Sequence, residues 1–442
     1  MPRFLPSLAA FFFLSLVTTY AQVASGPMLA QVEMREATIW VQTDAPAEVR
    51  IKYQISDAAN NPYWSQSVQT RSDLANCAQL TLDQIEAGTS YNYRVEVAGV
   101  LTSRGGSFTS PSFFKDLSPP PDLRIAVGGA HYVNQEGFDP PYQTLGAGYE
   151  VFSSIAAQSP DLMLWVGNTA HLRDSDWRSQ SGYMKRFSHT RACPEMSALI
   201  ASTPNYATWG DRDYSATHAG HYYSYRQESE ISFRTFWPMP TQVRTVDGIA
   251  TRFSRSDVDF FMLDVRSNRN DTPDAQALPQ ILGKAQIEWL RQELLLSTAT
   301  FKVIVAGAPI LNPADNKENL SSADREHTDL LQMLRNEKIS GLFFISGGKY
   351  YGELTRLVHA NSYNLYDLSV GPLTAKPREN NNQELNFFRM PGSSSFERQF
   401  ALIDFTGPEE DRQIEMRVMN TFGTELWSRT VKASQLKAVG GR

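Results

Sequence analysis

The strongest constraint on this chain is a set of short apolar runs, each breaking off in small residues. Leu162-Met163-Leu164-Trp165-Val166 passes directly into Gly167-Asn168-Thr169-Ala170-His171. A run this short and this uniformly apolar reads as a strand buried on both faces rather than as a helix. Leu123 to Val127 before Gly128-Gly129-Ala130, Val258 to Leu263 before Asp264, and Phe301 to Ala306 repeat the pattern, as does Leu342 to Ile345 before Gly347-Gly348. Between them lie helical stretches: Tyr149 to Ala157, Gly283 to Leu296 with Ile287, Leu290 and Leu294 on one face, and Asp324 to Glu337. Buried strands alternating with helices predict an α/β sheet covered on both faces. The loops at the carboxyl ends of its strands are where chemistry is expected.

At 442 residues the chain is too long for one core, and its two ends read differently from the middle. Arg3 followed by the apolar run Phe4 to Val17, with Thr19-Tyr20-Ala21 after it, has the form of a cleaved export signal over 1–21. The run is short of the roughly 20 residues a membrane span needs, and none later is long enough, so the mature chain is expected to carry no transmembrane segment. A secreted, periplasmic or envelope location follows. Residues 22–115 read as strands and turns: Thr38 to Gln42, Val49 to Tyr53 and Tyr91 to Val97 alternate apolar with polar, predicting a small antiparallel sandwich. The stretch from Leu80 through Gly88 to Tyr93 resembles the late strands of fibronectin type III-like domains. Residues 116–121, ending in three prolines, form a stiff linker, and 122–442 form the second domain. Within it, Gln413 to Val418 and Thr424 to Trp427 predict a hairpin completing a second sheet, with a frayed tail from Ala433. The net charge of −6 gives no electrostatic reason to expect nucleic acid. Two distant cysteines, Cys77 and Cys193, read as buried free thiols rather than a disulfide framework.

Several phrases in fixed order resemble the PhoD-like alkaline phosphatases, a branch of the calcineurin-like metallophosphoesterases. They are Pro160 to Trp165, Leu172-Arg173 with Asp176-Trp177, Tyr206 to Trp209, and Asp259 to Asp264 with Arg266. Gln286 with Glu288-Trp289-Leu290, Gly371 to Thr374, and Phe405 to Pro408 continue the series. The resemblance implies a four-layer sandwich of two mixed sheets flanked by helices, behind the all-β domain. It also implies two metal ions, typically iron with calcium or another divalent ion, that activate a hydroxide for attack on phosphorus.

The same resemblance identifies the ligand loops, and each departs from the family. Gly-Ser-Cys becomes Gly128-Gly129-Ala130, and Gly-Asp-Asn with a following Tyr becomes Gly167-Asn168-Thr169-Ala170-His171. Trp-Asp-Asp-His-Asp becomes Trp209-Gly210-Asp211-Arg212-Asp213. Ser-Gly-Asp-Arg-His-His becomes Ser346-Gly347-Gly348-Lys349-Tyr350-Tyr351. The degenerate positions are thus Ala130, Asn168, His171, Gly210, Arg212, Gly348 and Tyr350. Paired hard cations need anionic oxygen ligands, so the expectation is a pseudo-phosphatase without a catalytic residue or cofactor, acting by binding or scaffolding.

The alternative is an active phosphomonoesterase or phosphodiesterase with a rebuilt, zinc-like site. It would draw on Asn168, His171, Asp211, Asp213 and His131, with His218 and His221 three apart on a helix. Arg212 and Lys349 also raise the possibility of an anion-binding cleft, against which stands a local ion pair of Arg212 with a neighbouring aspartate. An anionic small molecule, a glycan or an envelope protein is the expected class of partner. Tyr222, Tyr223 and Tyr225, with Tyr350 and Tyr351, are expected at the mouth of the site, as stacking surface or as filling.

Overall fold

The computed structural model describes residues 21–56, 61–215, 219–239, 243, 246–270, 278–358, 362–379 and 384–440. The expected leader therefore lies almost wholly outside the described residues. The first strands are β1 Val23–Val32, β2 Ala37–Thr43, β3 Glu48–Ile55, β4 Tyr63–Trp64, β5 Val68–Gln69, β6 Cys77–Leu82, β7 Ser90–Val97 and β8 Val100–Thr109. They form one sheet in the order β1-β2-β6 and another in the order β4-β3-β7-β8, with β5 also on β3. Alternation does the sorting: Val49, Ile51 and Tyr53 point inward with Tyr91, Tyr93 and Val95, while Arg50, Lys52 and Arg94 between them stay outside that core.

The α/β part follows with β9 Leu123–Gly128, α1 Val151–Ala157, β10 Leu162–Val166, α2 Gln180–Arg191, α3 Ser197–Ser202, β11 Asn205–Thr208, α4 Asp211–Tyr214 and α5 Arg226–Phe236. Then come β12 Thr251–Arg255, β13 Val258–Leu263, α6 Lys284–Leu296, β14 Phe301–Ala306, α7 Asp324–Asn336, β15 Leu342–Ser346, β16 Glu353–Leu357 and β17 Leu365–Ser369. Three last strands, β18 Gln399–Thr406, β19 Gln413–Asn420 and β20 Glu425–Lys432, complete it. One sheet runs β11-β10-β9-β18-β19-β20 and the other β12-β13-β14-β15-β17-β16, with β9, β10 and β11 parallel in the first and β13, β14, β15 and β17 parallel in the second.

Period-two alternation sorts the apolar side chains of β9 and β10 between two layers. Leu123, Ile125, Val127, Leu162, Leu164 and Val166 enter the core shared with the second sheet. Ala126, Met163 and Trp165 point the other way, onto α1, α2, α3 and α5. Helices α6 and α7 close the far side through Leu290, Leu294, Leu330 and Leu334. Four layers result, as the sequence led us to expect.

Two expectations at the C-terminus are corrected. The β19–β20 hairpin extends the first sheet through β18, which pairs antiparallel with β9. The tail is docked rather than frayed: Leu436 is buried and its carbonyl accepts from the Gly341 amide at 2.8 Å. Among the described residues no helix is long and apolar enough to cross a membrane. Cys77 and Cys193 are free.

The sandwich sits firmly on the α/β part. Trp40 is fully buried, donates from Nε1 to the Thr235 carbonyl at 2.8 Å, packs on Phe236, and lies under the Arg191 guanidinium. Asn205 donates to the Leu29 carbonyl, and Tyr93 to that of Ala201. Trp40→Ala is therefore expected to destabilise the whole protein by about 3–5 kcal/mol in denaturant unfolding. A loss below about 1 kcal/mol would show that the two parts do not fold as one.

Candidate functional site

Four loops meet at the carboxyl ends of parallel strands. They follow β9 (129–132), β10 (167–171), β11 (209–213) and β15 (347–351). The first two are tied backbone to backbone, with the Ala130 amide on the Gly167 carbonyl at 3.0 Å and the His131 amide on that of Asn168 at 2.9 Å. Ala130, Asn168 and His171 all have positive φ, at 53°, 54° and 51°. Asparagine and histidine enter that region more readily than most residues, whereas alanine pays a steric penalty of about 1–2 kcal/mol. The loops thus keep the backbone form of a functional rim while their side chains differ.

Asp213 is the clamp between the second and third loops. Its Oδ1 accepts from the Thr169 amide at 2.6 Å, the Thr169 hydroxyl at 3.0 Å and the Ala170 amide at 2.8 Å, and its Oδ2 accepts from the Gly210 amide at 3.0 Å. Complete burial nonetheless raises its pKa to about 6, against the opposing pull of those donors. Asn168 is equally occupied: its Oδ1 accepts from the Arg212 amide at 3.0 Å, and its enclosed Nδ2 has no well-formed bond, facing the Tyr350 hydroxyl.

Arg212 Nε lies 3.5 Å from Asp211 Oδ2, the local pairing that the sequence allowed. Lys349 does not join them. It is buried in an ion pair with Glu384, which also binds Arg378 at 2.8 Å, so of the two readings of these cations the one based on pairing within the chain fits both.

The histidines do not converge. His131 is fully buried, with Nδ1 on the Thr374 hydroxyl at 2.8 Å, and its ring meets Phe152 edge-on at 5.1 Å. His171 lies between Tyr132 and Tyr350, its Nδ1 3.4 Å from the Tyr350 hydroxyl. Burial, reinforced for His131 by Arg186 and Arg191 and for His171 by Arg212 and Arg186, pushes both pKa values down to about 3. Both rings are neutral at physiological pH. His221 bonds the Ser267 carbonyl and Arg226 in the connection between α4 and α5, outside any helix, so the helical pairing with His218 is not available to it. His218 itself lies outside the described residues. Among the described residues no group of three or more His, Cys, Asp or Glu is placed to hold a metal. Tyr222 is 75% exposed, while Tyr351 is buried against Phe396.

Two residues that sequence reasoning passed over organise the rim. Arg186, buried on α2, donates from Nε to the carbonyls of Ala170 and His171 and from Nη1 to that of Val133. Its signal was available, since it shares a helix face with Tyr183, Phe187 and Thr190, where a charge is out of place. Asp264 accepts from Trp209 Nε1 and from the amides of Arg266 and Ser267, joining the β11 loop to the end of β13.

The chemistry of the donor set decides whether paired metals fit. A Cβ at Gly210 would stand 2.3 Å from Asn168 Oδ1. One at Gly348, whose φ is +71°, would stand 2.7 Å from the Gly307 carbonyl oxygen. At two positions where the resemblance implies carboxylates, a side chain would thus meet its neighbours, the Asn168 side chain at Gly210 and the Gly307 backbone at Gly348. With Asp213 given to backbone amides and Asp211 facing Arg212, the residues present do not fit a dinuclear centre.

Since Asp213 holds its proton more tightly in the folded chain than at the ordinary 3.8, its stabilising contribution is complete below the ordinary value and is lost as pH rises through about 6. Asp213→Asn is expected to abolish that fall in urea-unfolding stability measured across pH. It is also expected to lower stability at neutral pH by about 1–3 kcal/mol, because buried amides lose their acceptor. An unchanged pH profile would contradict the clamp.

Comparison with known proteins agrees with this fold. Residues 126–407 match the model for "PhoD-like phosphatase", and residues 20–111 match a "Domain of unknown function (DUF7800)". Among solved structures, one described as "Structure of PhoD" is 15% identical, covering 98% of this chain and 94% of its own, with a TM-score of 0.72. The purple acid phosphatase PPD1 from yellow lupin (Lupinus luteus) is 13% identical, covering 92% of this chain and 74% of its own, with a TM-score of 0.68. At these identities the likeness is one of fold. No curated protein matches the chain.

Proposed function

The chain belongs to the PhoD-like phosphatase family, and on that premise we propose that it is a non-hydrolytic member, exported and acting by binding or scaffolding in the cell envelope. One observation carries the reading. At two of the positions where metal carboxylates would be expected, an added Cβ would meet the Asn168 side chain (Gly210) or the Gly307 carbonyl (Gly348), so a side chain there requires its neighbours to shift. Export rests on the leader-like composition of Arg3 and Phe4 to Val17. Mechanistically, the rim is a rigid surface: Asp213 and Arg186 hold its backbone, and neutral His171 sits between the Tyr132 and Tyr350 rings. The charged groups that hold this rim are committed to its own backbone, Asp213 as acceptor from amides and Arg186 as donor to carbonyls, rather than turned toward a bound phosphoester.

Purified protein supplied with iron, calcium or zinc is expected to hydrolyse neither an aryl phosphate nor a bis-aryl phosphodiester above background. Asn168→Asp with Gly210→Asp and Gly348→Asp is expected to destabilise the fold without restoring turnover, because the last two place side chains into backbone or Asn168 space. Chelator-sensitive turnover by the unmodified chain, or robust activity in the triple variant, would overturn the proposal.

A further inference from the structure

A groove of about 170 Å³ opens at the other end of the sheets, where the linker crosses the amino-terminal ends of β9, β10, β11 and β13. Its walls include Phe114, Pro121, Pro204, Asp161, Arg255 and Ser256. Arg255 is only 9% exposed. Its Nη2 donates to the Val32 carbonyl at 2.6 Å and the Tyr206 hydroxyl at 3.0 Å, and its Nε is enclosed with no hydrogen-bond partner. No carboxylate among the described residues lies within 4.0 Å of this guanidinium. Arg255 is thus a buried cation with no carboxylate in direct contact, although Asp161 on the groove wall lies within reach of its charge.

Asp161 lines the same groove and is not ion-paired with Arg255. Asp161 is itself exposed, and its Oδ2 accepts from the Arg124 amide at 2.7 Å. The second carboxylate on the wall, Asp122, is paired with Arg412, so the groove offers Arg255 and Asp161, unbonded to each other, beside apolar walls. Its volume lies well below the roughly 300–1,000 Å³ of drug-sized sites, which selects for a small ligand.

We propose that this groove binds a small zwitterion of the α-amino-acid class. The carboxylate meets Arg255, the ammonium meets Asp161, and the apolar remainder lies among Phe114, Pro121 and Pro204. A guanidinium takes a carboxylate through charge-assisted hydrogen bonds, and the second charge gives direction to the binding. The groove lies at the opposite end of the strands from the rim, so the inference does not depend on whether that rim is hydrolytic.

The test is isothermal titration of the full mature chain with glycine, L-alanine and L-proline, with acetate and methylammonium as half-ligands. The expected result is saturable binding of at least one amino acid, with each half-ligand weaker by roughly tenfold or more. Asp161→Asn keeps an acceptor for the Arg124 amide but removes the charge. It is expected to weaken the amino acid roughly tenfold and leave acetate unchanged. Arg255→Lys is expected to weaken both; should it fail to fold, the Asp161 variant and the half-ligand comparison still decide. No saturable binding by the unmodified chain would overturn the proposal and leave ordered water as the groove's occupant. Amino-acid binding unaltered in Asp161→Asn, or acetate binding as tightly as the amino acids, would overturn it as well.

Discussion

A single buried carboxylate holds the rim together. Asp213 accepts from the amides of Thr169, Ala170 and Gly210, and so fastens the loop after β10 to the loop after β11. In a metal-dependent hydrolase a carboxylate at such a strand end is valued for the lone pairs it offers outward. Here those lone pairs are directed into the backbone, and the geometry of both loops follows. Arg186 does the complementary work from α2, donating to the Ala170 and His171 carbonyls of the β10 loop and to that of Val133 just past the β9 loop. Between them, acceptor and donor cross-link the rim, though Asn168 Nδ2 and His131 Nε2 stay enclosed without a bond.

The fold was legible because burial writes itself into periodicity. The runs at Leu162, Val258 and Phe301 became central strands with the limits the residues suggested, and Leu290 and Leu294 mark the inner face of α6. What the pattern does not carry is partnership. An alternating hairpin such as Gln413 to Trp427 fits the edge of either sheet, and only its pairing through β18 to β9 places it in the first. The tail failed for a similar reason, since one apolar residue, Leu436, gives no period yet suffices to dock it.

The site was legible by resemblance and only partly by residue type. Ala130, Gly210 and Gly348 stand out as missing ligands only when set beside the loops of the family they resemble. What surrounds them, the Asn168 side chain at Gly210 and the Gly307 carbonyl at Gly348, is invisible in a string of letters. Lys349 illustrates the limit: as a cation in a former ligand loop it suggested an anion site, whereas the buried Glu384, distant in sequence, claims it. Arg186 was missed because a charge inside a helical pattern is easily read as surface. The two ends of the sheets carry different features, a rim cross-linked by Asp213 and Arg186 at the carboxyl end and the groove beside Arg255 at the amino end.

The claim that the rim no longer accommodates paired metals is tested most directly by calorimetric titration of the folded, chelator-treated protein with Zn²⁺ and Mn²⁺, read alongside elemental analysis before treatment. The account predicts no stoichiometric metal on purification and no saturable heat that Asn168→Ala or Asp211→Asn removes. Two bound ions per chain, lost together in either variant, would contradict it.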